Sequence, residues 1–244
     1  MFAIARPTSF RSSTVCADCQ HRTAHMFCNL DQAALAHFDS IGVHTVLAKG
    51  VKIFEEEAPI RGVFVVCSGR VKLSCTSKQG KTLILRIAVP GDVLGLGAVL
   101  SNSAYEVTAE TVERVELKSI RKVDFLDFVQ RYGDASMNAA QVVSSDYRVA
   151  FFDARRLALS VSAAGRLASV MLDWGRAAIH DKQADTSKMR FTMALTHEEL
   201  ASLIGSSRET VTRLLGRFKK EKLIQVRGAT IVILEPEKLE QLAV

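Results

Sequence analysis

No apolar run in this chain of 244 residues approaches the ~20 residues that cross a bilayer, which argues against a membrane helix. Residues Met1 to Val15 lack the long apolar segment of a secretory signal. Low-complexity tracts are absent, and so are Gly-x-Ser-x-Gly, His-Glu-x-x-His and a glycine-rich phosphate cradle. A hydrolase built on one of these motifs would therefore lack its activated nucleophile, its metal ligands or its phosphate site. Cysteine is scarce and odd in number, five in all, which does not suit a secreted disulfide framework. The expectation is a cytoplasmic chain in a reducing compartment, with no membrane partner. At 48% hydrophobic and 24% charged residues, its length suits about two domains, each with its own core.

The most informative stretch that is present runs from Leu195 to Leu215. Thr196 followed three residues later by Glu199 is a capping box, and Leu200, Leu203 and Ile204 make one apolar face before Gly205 stops the helix. Ser207 can cap a second helix whose buried face is Val211, Leu214, Leu215 and Phe218. This is a helix-turn-helix. Arg208, Glu209 and Arg213 then point outward from the N-terminal half of the second helix, which a DNA major groove admits. Arginine bonds guanine O6 and N7 together, and a carboxylate accepts from cytosine N4, so the trio can read G·C pairs.

Two β-branched runs follow, Leu223 to Val226 and Thr230 to Ile233, around Arg227-Gly228-Ala229, and they predict a hairpin that forms the wing of a winged helix. From Ser206 to Arg227 seven Lys or Arg stand against two Glu, a local surplus of five in a chain of formal charge +6. Positive charge is thus concentrated where double-stranded DNA would lie. Ser207, Thr210, Lys219 and Lys220 are placed to meet phosphates, contacts that position the helix without carrying sequence information.

Upstream, between about Val46 and Leu117, short strands alternate with turns: Val51–Phe54, Gly62–Cys67, Gly69–Thr76, Thr82–Val89, Val93–Leu94 and Tyr105–Leu117. The spacing predicts a compact β-roll, with Val71, Leu73 and Cys75 on one buried face. From Asp134 to Leu159 no proline or glycine interrupts a helical pattern. Its apolar positions include Met137, Ala140, Val143, Tyr147, Ala150, Phe151 and Ala154, a seam suited to pairing with a second copy of the chain. A homodimer would read two half-sites one helical turn apart. The expected fold class is α+β: a cysteine-containing arm (1–30), a β-roll sensor (31–133), a dimerisation helix (134–160) and a winged helix (161–244).

The arm carries Cys16, Cys19 and Cys28 with His21 and His25 among thirteen residues. Thiolates bind iron–sulfur clusters or zinc. Cys16, Cys19, His25 and Cys28 could close a tetrahedral zinc knuckle, the thiols could form a disulfide switch, or the arm could have no sensing role. Cys67 or Cys75 could add a ligand only if it faced the arm. A thiol-disulfide oxidoreductase using Cys16 and Cys19 is the rival class, but it would set the pair at a helix start after a strand, and here the pair lies in a polar arm.

Four groups of residues together resemble the CRP/FNR family of bacterial transcription regulators. They are Leu47-Ala48-Lys49-Gly50 with Ile53-Phe54; Phe64 to Val71; Pro90-Gly91-Asp92-Val93-Leu94-Gly95; and Ser207 to Leu215. The resemblance covers the chain from about Cys16 to its end. It implies an effector β-roll like a cyclic-nucleotide-binding domain, a long dimer helix and a C-terminal winged helix. It also implies base contacts by Arg208, Glu209 and Arg213, and RNA polymerase as a partner. Arg208 before Glu209 is similar to the cyclic-AMP receptor branch and its TGTGA-like half-site. Thr212-Arg213 is closer to the oxygen-regulator branch and its TTGA-like half-site. The expected operator is a palindrome with TGA in each half-site and a preference for guanine two positions upstream of its G. Leu96 stands where the cyclic-AMP branch has a phosphate-binding glutamate, and Tyr105-Glu106-Val107 lies where it has Arg-Ser, so cyclic AMP is not expected and another small-molecule effector in the roll stays open. The arm resembles the oxygen-sensing branch, in which three N-terminal cysteines and one from the β-roll hold a [4Fe-4S] cluster. Here the last spacing is longer, and Val115 takes the place of the fourth cysteine. Glu57 stands where the family usually has a turn glycine.

Overall fold

The computed structural model describes residues 16–19, 26–80, 82–159, 162–180, 189–193 and 195–243. They form two compact units that divide at Val149 and Ala150, inside one long helix. Among the described residues no helix is long and apolar enough to cross a membrane.

The first unit opens with α1 (Gln32–Ser40), whose N-cap Asp31 accepts a hydrogen bond from the Ala34 amide at 2.7 Å. Eight strands follow: β1 (Gly42–Leu47), β2 (Lys52–Phe54), β3 (Gly62–Ser68), β4 (Val71–Thr76), β5 (Thr82–Ala88), β6 (Val93–Leu94), β7 (Thr108–Thr111) and β8 (Val115–Arg121), with α2 (Leu96–Ser101) between β6 and β7. They make two four-stranded sheets, β1-β8-β3-β6 and β2-β7-β4-β5. Because side chains alternate across a strand, β3 and β8 serve two cores. Val66, Val115 and Leu117 face the roll interior with Phe54, Leu94 and Tyr105. Val63, Val65 and Ile120 face the other way, onto Phe38 of α1 and Phe125 and Phe128 of α3 (Lys122–Arg131).

The long helix α4 spans Gly133–Leu159. Ala135 and Ala139 are buried in the core of α1 and α3, and Val142 packs against it. Asp146 on α4 meets Arg86 at 3.5 Å, and Arg86 also reaches Asp92 at 3.4 Å, joining the helix to the Pro90-Gly91-Asp92 turn. The remaining helix surface carries Met137, Ala140, Val143, Tyr147, Ala150, Phe151 and Ala154, all exposed, with Met137 at 60% and Tyr147 at 69%.

The second unit contains α5 (Ala163–His180), β9 (Arg190–Thr192), α6 (His197–Leu203), α7 (Arg208–Lys220), β10 (Ile224–Arg227), β11 (Thr230–Ile233) and α8 (Pro236–Ala243). Its sheet runs β10-β11-β9 and is antiparallel. Val211 and Phe218 of α7, Leu200 of α6, Leu167 of α5, Ile231 of β11 and Leu239 of α8 are each nearly inaccessible and form its interior.

Four sequence expectations change. The segment read as one strand from Tyr105 to Leu117 is two strands in different sheets, broken at 112–114. Neither β1 nor α2, β9 nor α8 was foreseen, because short elements half-covered by others carry little periodicity of their own. On β4, Val71 is buried and Leu73 packs on the core, but Ser74 is buried at 6% while Cys75 is only half-buried. Ser74 is the last β4 residue paired with β7, so beyond it the alternation loses its cover. Glu57 keeps the turn that a glycine would suit: it sits at φ 64° and its amide donates to the Tyr105 carbonyl at 2.8 Å. Holding a non-glycine there costs roughly 1–2 kcal/mol.

Candidate nucleic-acid interface and cysteine site

Each end of the helix-turn-helix is fixed by its own sequence. At α6 the Thr196 hydroxyl accepts from the Glu199 amide at 3.2 Å, and the Glu199 carboxylate accepts from the Thr196 amide at 2.9 Å, closing the capping box. Gly205 takes φ 61° at the turn. Arg166 of α5 braces that turn, donating from Nε to the Ile204 carbonyl at 2.6 Å. At α7 the Ser207 hydroxyl accepts from the Thr210 amide at 3.2 Å and donates to the Thr210 hydroxyl at 3.1 Å. Two of the four residues expected to contact phosphates, Ser207 and Thr210, therefore also form the helix cap, and their hydroxyls stay at its N-terminus, where the helix dipole favours an anion.

Burying Val211, Leu214, Leu215 and Phe218 turns Arg208, Glu209, Thr212 and Arg213 outward together. His197 Nδ1 lies 2.8 Å from the Thr212 hydroxyl, tying α6 to this face. The Glu209 carboxyl is held below its usual range by hydrogen bonds from its own backbone amide and from Ser207, with the neighbouring Arg208 charge helping, so it is an acceptor at neutral pH. Lys219 and Lys220 are exposed at the far end, and Arg217 pairs with Glu221 at 2.8 Å. The β10–β11 hairpin carries Arg227 at its tip beside Gly228.

In the roll, Tyr105 and Phe54 occupy the interior, whereas Leu96 of α2 is buried in the core of α1 and α3. Tyr105 stacks on Phe54 at 4.0 Å between ring centroids, and its hydroxyl donates to the Gly62 carbonyl at 2.8 Å. The Glu106 carboxylate sits beside Gly97, at the start of α2.

The arm is brought to the β-roll by Phe27, wholly buried, which stacks on Phe38 at 5.7 Å and meets Phe125 at 5.6 Å. Its burial stabilises the docked arm by about 1.5–3 kcal/mol. Cys16 begins a short 3-10 turn and packs against the core of α1 and α3. None of the five cysteines is in a disulfide. Sequence reasoning missed Lys118 of β8, which is 1% exposed, donates to Asp39 of α1, and brings its Nζ to 2.5 Å from Cys16 Sγ. Its only signal was its place two residues before Ile120, on the face turned toward α1. Gly42 of β1 makes room for the lysine stem: a Cβ there would lie 2.5 Å from Lys118 Cγ and Cδ. His44 Nε2 stands 3.6 Å from Asp39 Oδ1.

Burial pushes the Cys28 thiol up to about 11 and the Cys67 thiol up to about 12, and it raises Cys16 against the pull of Lys118. Cys67 lies within electrostatic reach of Lys118, Cys16, Cys28 and Cys19, whereas Cys75 is near Glu56 instead. So Cys67 and not Cys75 accompanies the arm. Val115 is wholly buried in the roll interior. His25 lies outside the described residues. Among the described residues no three His, Cys, Asp or Glu side chains gather tightly enough to hold a single ion.

A capped recognition helix followed by a hairpin, and a separate eight-stranded roll, define a winged-helix DNA-binding protein with a second, β-roll domain. Comparison with known proteins gives the family. Residues 165–242 match the Crp-like helix-turn-helix domain, and residues 44–132 match the cyclic nucleotide-binding domain. The cyclic AMP receptor protein of Thermus thermophilus is 27% identical over 195 residues, 80% of this chain and 85% of that one. The nitrogen fixation regulation protein FixK of Bradyrhizobium diazoefficiens is 24% identical over 228 residues, 93% of each chain. The structure of FixK2 from Bradyrhizobium japonicum superposes with a TM-score of 0.74 at 19% identity, covering 84% of this chain and 98% of that one. The chain belongs to the CRP/FNR family: it is a DNA-binding transcription regulator, not an enzyme.

Proposed function

We propose that this regulator binds as a homodimer to a palindrome with TGA in each half-site, and that its N-terminal cysteine arm switches it in response to oxygen or redox state. The observation that carries the DNA half is the common outward face of Arg208, Glu209 and Arg213, above capping hydroxyls and between basic flanks. Arg208 and Arg213 donate to guanine, Glu209 accepts from cytosine, and Ser207, Thr210, Lys219 and Lys220 hold phosphates. The exposed apolar side chains of α4, Met137 and Val143 among them, form the seam with the second copy. The docking of the arm on the face of β8 that carries Lys118 supports the sensing half. An effector would act by binding one dimer geometry better than the other, with RNA polymerase as the downstream partner.

A cyclic nucleotide is not the signal we assign. Tyr105 fills the interior, Leu96 is buried in the core of α1 and α3, and the Glu106 carboxylate lies at the start of α2, where it would repel a phosphate. Selection of bound sequences from a random DNA pool tests the reading. Palindromes with TGA half-sites are expected, and non-palindromic or purely A·T sites would refute it. Repeating the selection on an anaerobic preparation before and after exposure to air tests the switch, since equal binding in both conditions removes it.

A further inference from the structure

We propose that Cys16 and Lys118 form a reversible sulfur–nitrogen cross-link: a hydroperoxide oxidises the Cys16 thiol, and the Lys118 amine captures the oxidised sulfur. This rests on the reading of the arm as a redox-responsive element and is independent of how α7 reads DNA.

Lysine is almost never fully buried unless it is paired, and Lys118 is 1% exposed within β8. Three contacts fix its Nζ. Gly42 leaves space for the stem, the Asp39 carboxylate of α1 accepts from the ammonium, and the Phe38 ring lies against it with the centroid at 5.5 Å. The nitrogen is thereby delivered to Cys16 Sγ at 2.5 Å. Pairing with Asp39 accounts for burying the charge; it does not require a thiol against the same nitrogen. Cys16 packs on the core of α1 and α3 but is only half-buried. A small oxidant therefore reaches the sulfur, while Lys118 stays covered.

The chemistry is a two-electron oxidation followed by a condensation. The Cys16 sulfur gives two electrons to the peroxide, whose O–O bond breaks, leaving a sulfenic acid on Cys16 and an alcohol or water. Sulfenic acids condense with thiols or with nitrogen, and here a nitrogen already touches the sulfur, so proximity favours it. The S–O bond breaks, the S–N bond forms, and the oxygen leaves as water. The ammonium releases a proton in this step. The Asp39 carboxylate is hydrogen-bonded to receive it, and His44, paired opposite Lys118 on β1, has its Nε2 3.6 Å from Asp39 Oδ1. Two equivalents of an external thiol reverse the link, restoring the Cys16 thiol and the Lys118 amine and leaving as a disulfide. Burial keeps the Cys16 thiol above its usual range despite the Lys118 hydrogen bond, so the reaction answers to sustained rather than trace peroxide. The product ties the arm to β8 and leaves the Asp39 carboxylate without its buried cation.

The test is tryptic peptide mapping by mass spectrometry of the full chain, reduced and peroxide-treated, in wild type, Cys19→Ser and Cys16→Ser. In wild type and Cys19→Ser, peroxide should join residues 12–22 to residues 115–121, with cleavage after Lys118 blocked. The joined mass should lie about 2 Da below the sum of the two peptides. Dithiothreitol should dissolve the link, and Cys16→Ser should never form it. Should Cys16→Ser misfold, dimedone added with peroxide to wild type answers the same question, because trapping the sulfenic acid should label Cys16 and suppress the cross-link. Unimpeded cleavage after Lys118 in oxidised protein, a link that survives in Cys16→Ser, or Cys16 recovered only in a disulfide or as a sulfinic acid would each overturn the proposal. Titrating the same reduced and oxidised samples with a TGA palindrome separates the two readings. Binding that changes without the cross-link keeps the redox switch and removes this chemistry, whereas a cross-link with unchanged binding keeps the chemistry and removes the arm as the switch.

Discussion

Arg213 and Lys219 lie on the same helix and should fail in different ways. Arg213→Ala removes a base-reading fork, so affinity for the preferred site should fall by about 1–3 kcal/mol and selectivity should relax at one base pair. Lys219→Ala should weaken all sequences alike and reduce the salt slope by about one. Fluorescence anisotropy against matched and mismatched duplexes at several salt concentrations distinguishes them. A second residue-scale prediction concerns pH. Arg70 forks onto Glu113 with contacts of 2.9 and 3.1 Å, and this hydrogen-bonded pairing holds the Glu113 carboxyl below its usual range. A lowered folded value means that the pair's contribution is present above the unfolded carboxyl value of about 4.3 and is lost as pH falls through the folded value. Both side chains are partly solvated, so Glu113→Gln should cost no more than about 1 kcal/mol at pH 7 and less at pH 2, as urea unfolding at the two pH values will show.

At the scale of elements, the arm and the recognition helix are held in contrasting ways. The recognition helix carries its own caps and its own apolar face, so its geometry is local and was readable as such. The arm is docked by long-range packing, above all at Phe27, which sits among Phe38 and Phe125, from two helices far apart in sequence. Phe27→Ala should cost about 3–5 kcal/mol of docking and packing. It should speed alkylation of Cys28 with Cys75 as internal reference, while leaving α7 and its DNA selectivity intact. Rates measured by mass spectrometry check the first effect, and the sequence-selection assay checks the second.

At the scale of the whole molecule, the proposed reading of a palindrome requires two recognition helices at one operator, and the α4 surface proposed to join two copies is exposed and apolar. Met137 and Val143 are 60% and 40% exposed on a helix whose other face is buried through Ala135 and Ala139. Introducing charge with Met137→Glu and Val143→Glu should give a monomer by sedimentation. Affinity for a two-half-site duplex should then fall by a factor on the order of 10², the advantage that linkage of two binding units supplies.

The sequence by itself determined the winged helix down to its caps, because capping boxes, turn glycines and 3.6-residue periodicity act within a few residues of one another. It also determined the length of α4 and the roll architecture, through uninterrupted helical patterning and repeated short strands. Its limits show at Tyr105–Leu117, where one apolar stretch becomes two strands in different sheets, and at Cys75, where alternation predicted burial that the neighbouring strand does not provide. Only the tertiary structure decided which cysteine accompanies the arm and that a lysine is buried beside it. Cys67 and Lys118 come together through strand pairing across some fifty residues, with Gly42 clearing the way. Such long-range register is set by the packing of both faces of a sheet at once and leaves no periodic trace in the residues that it joins.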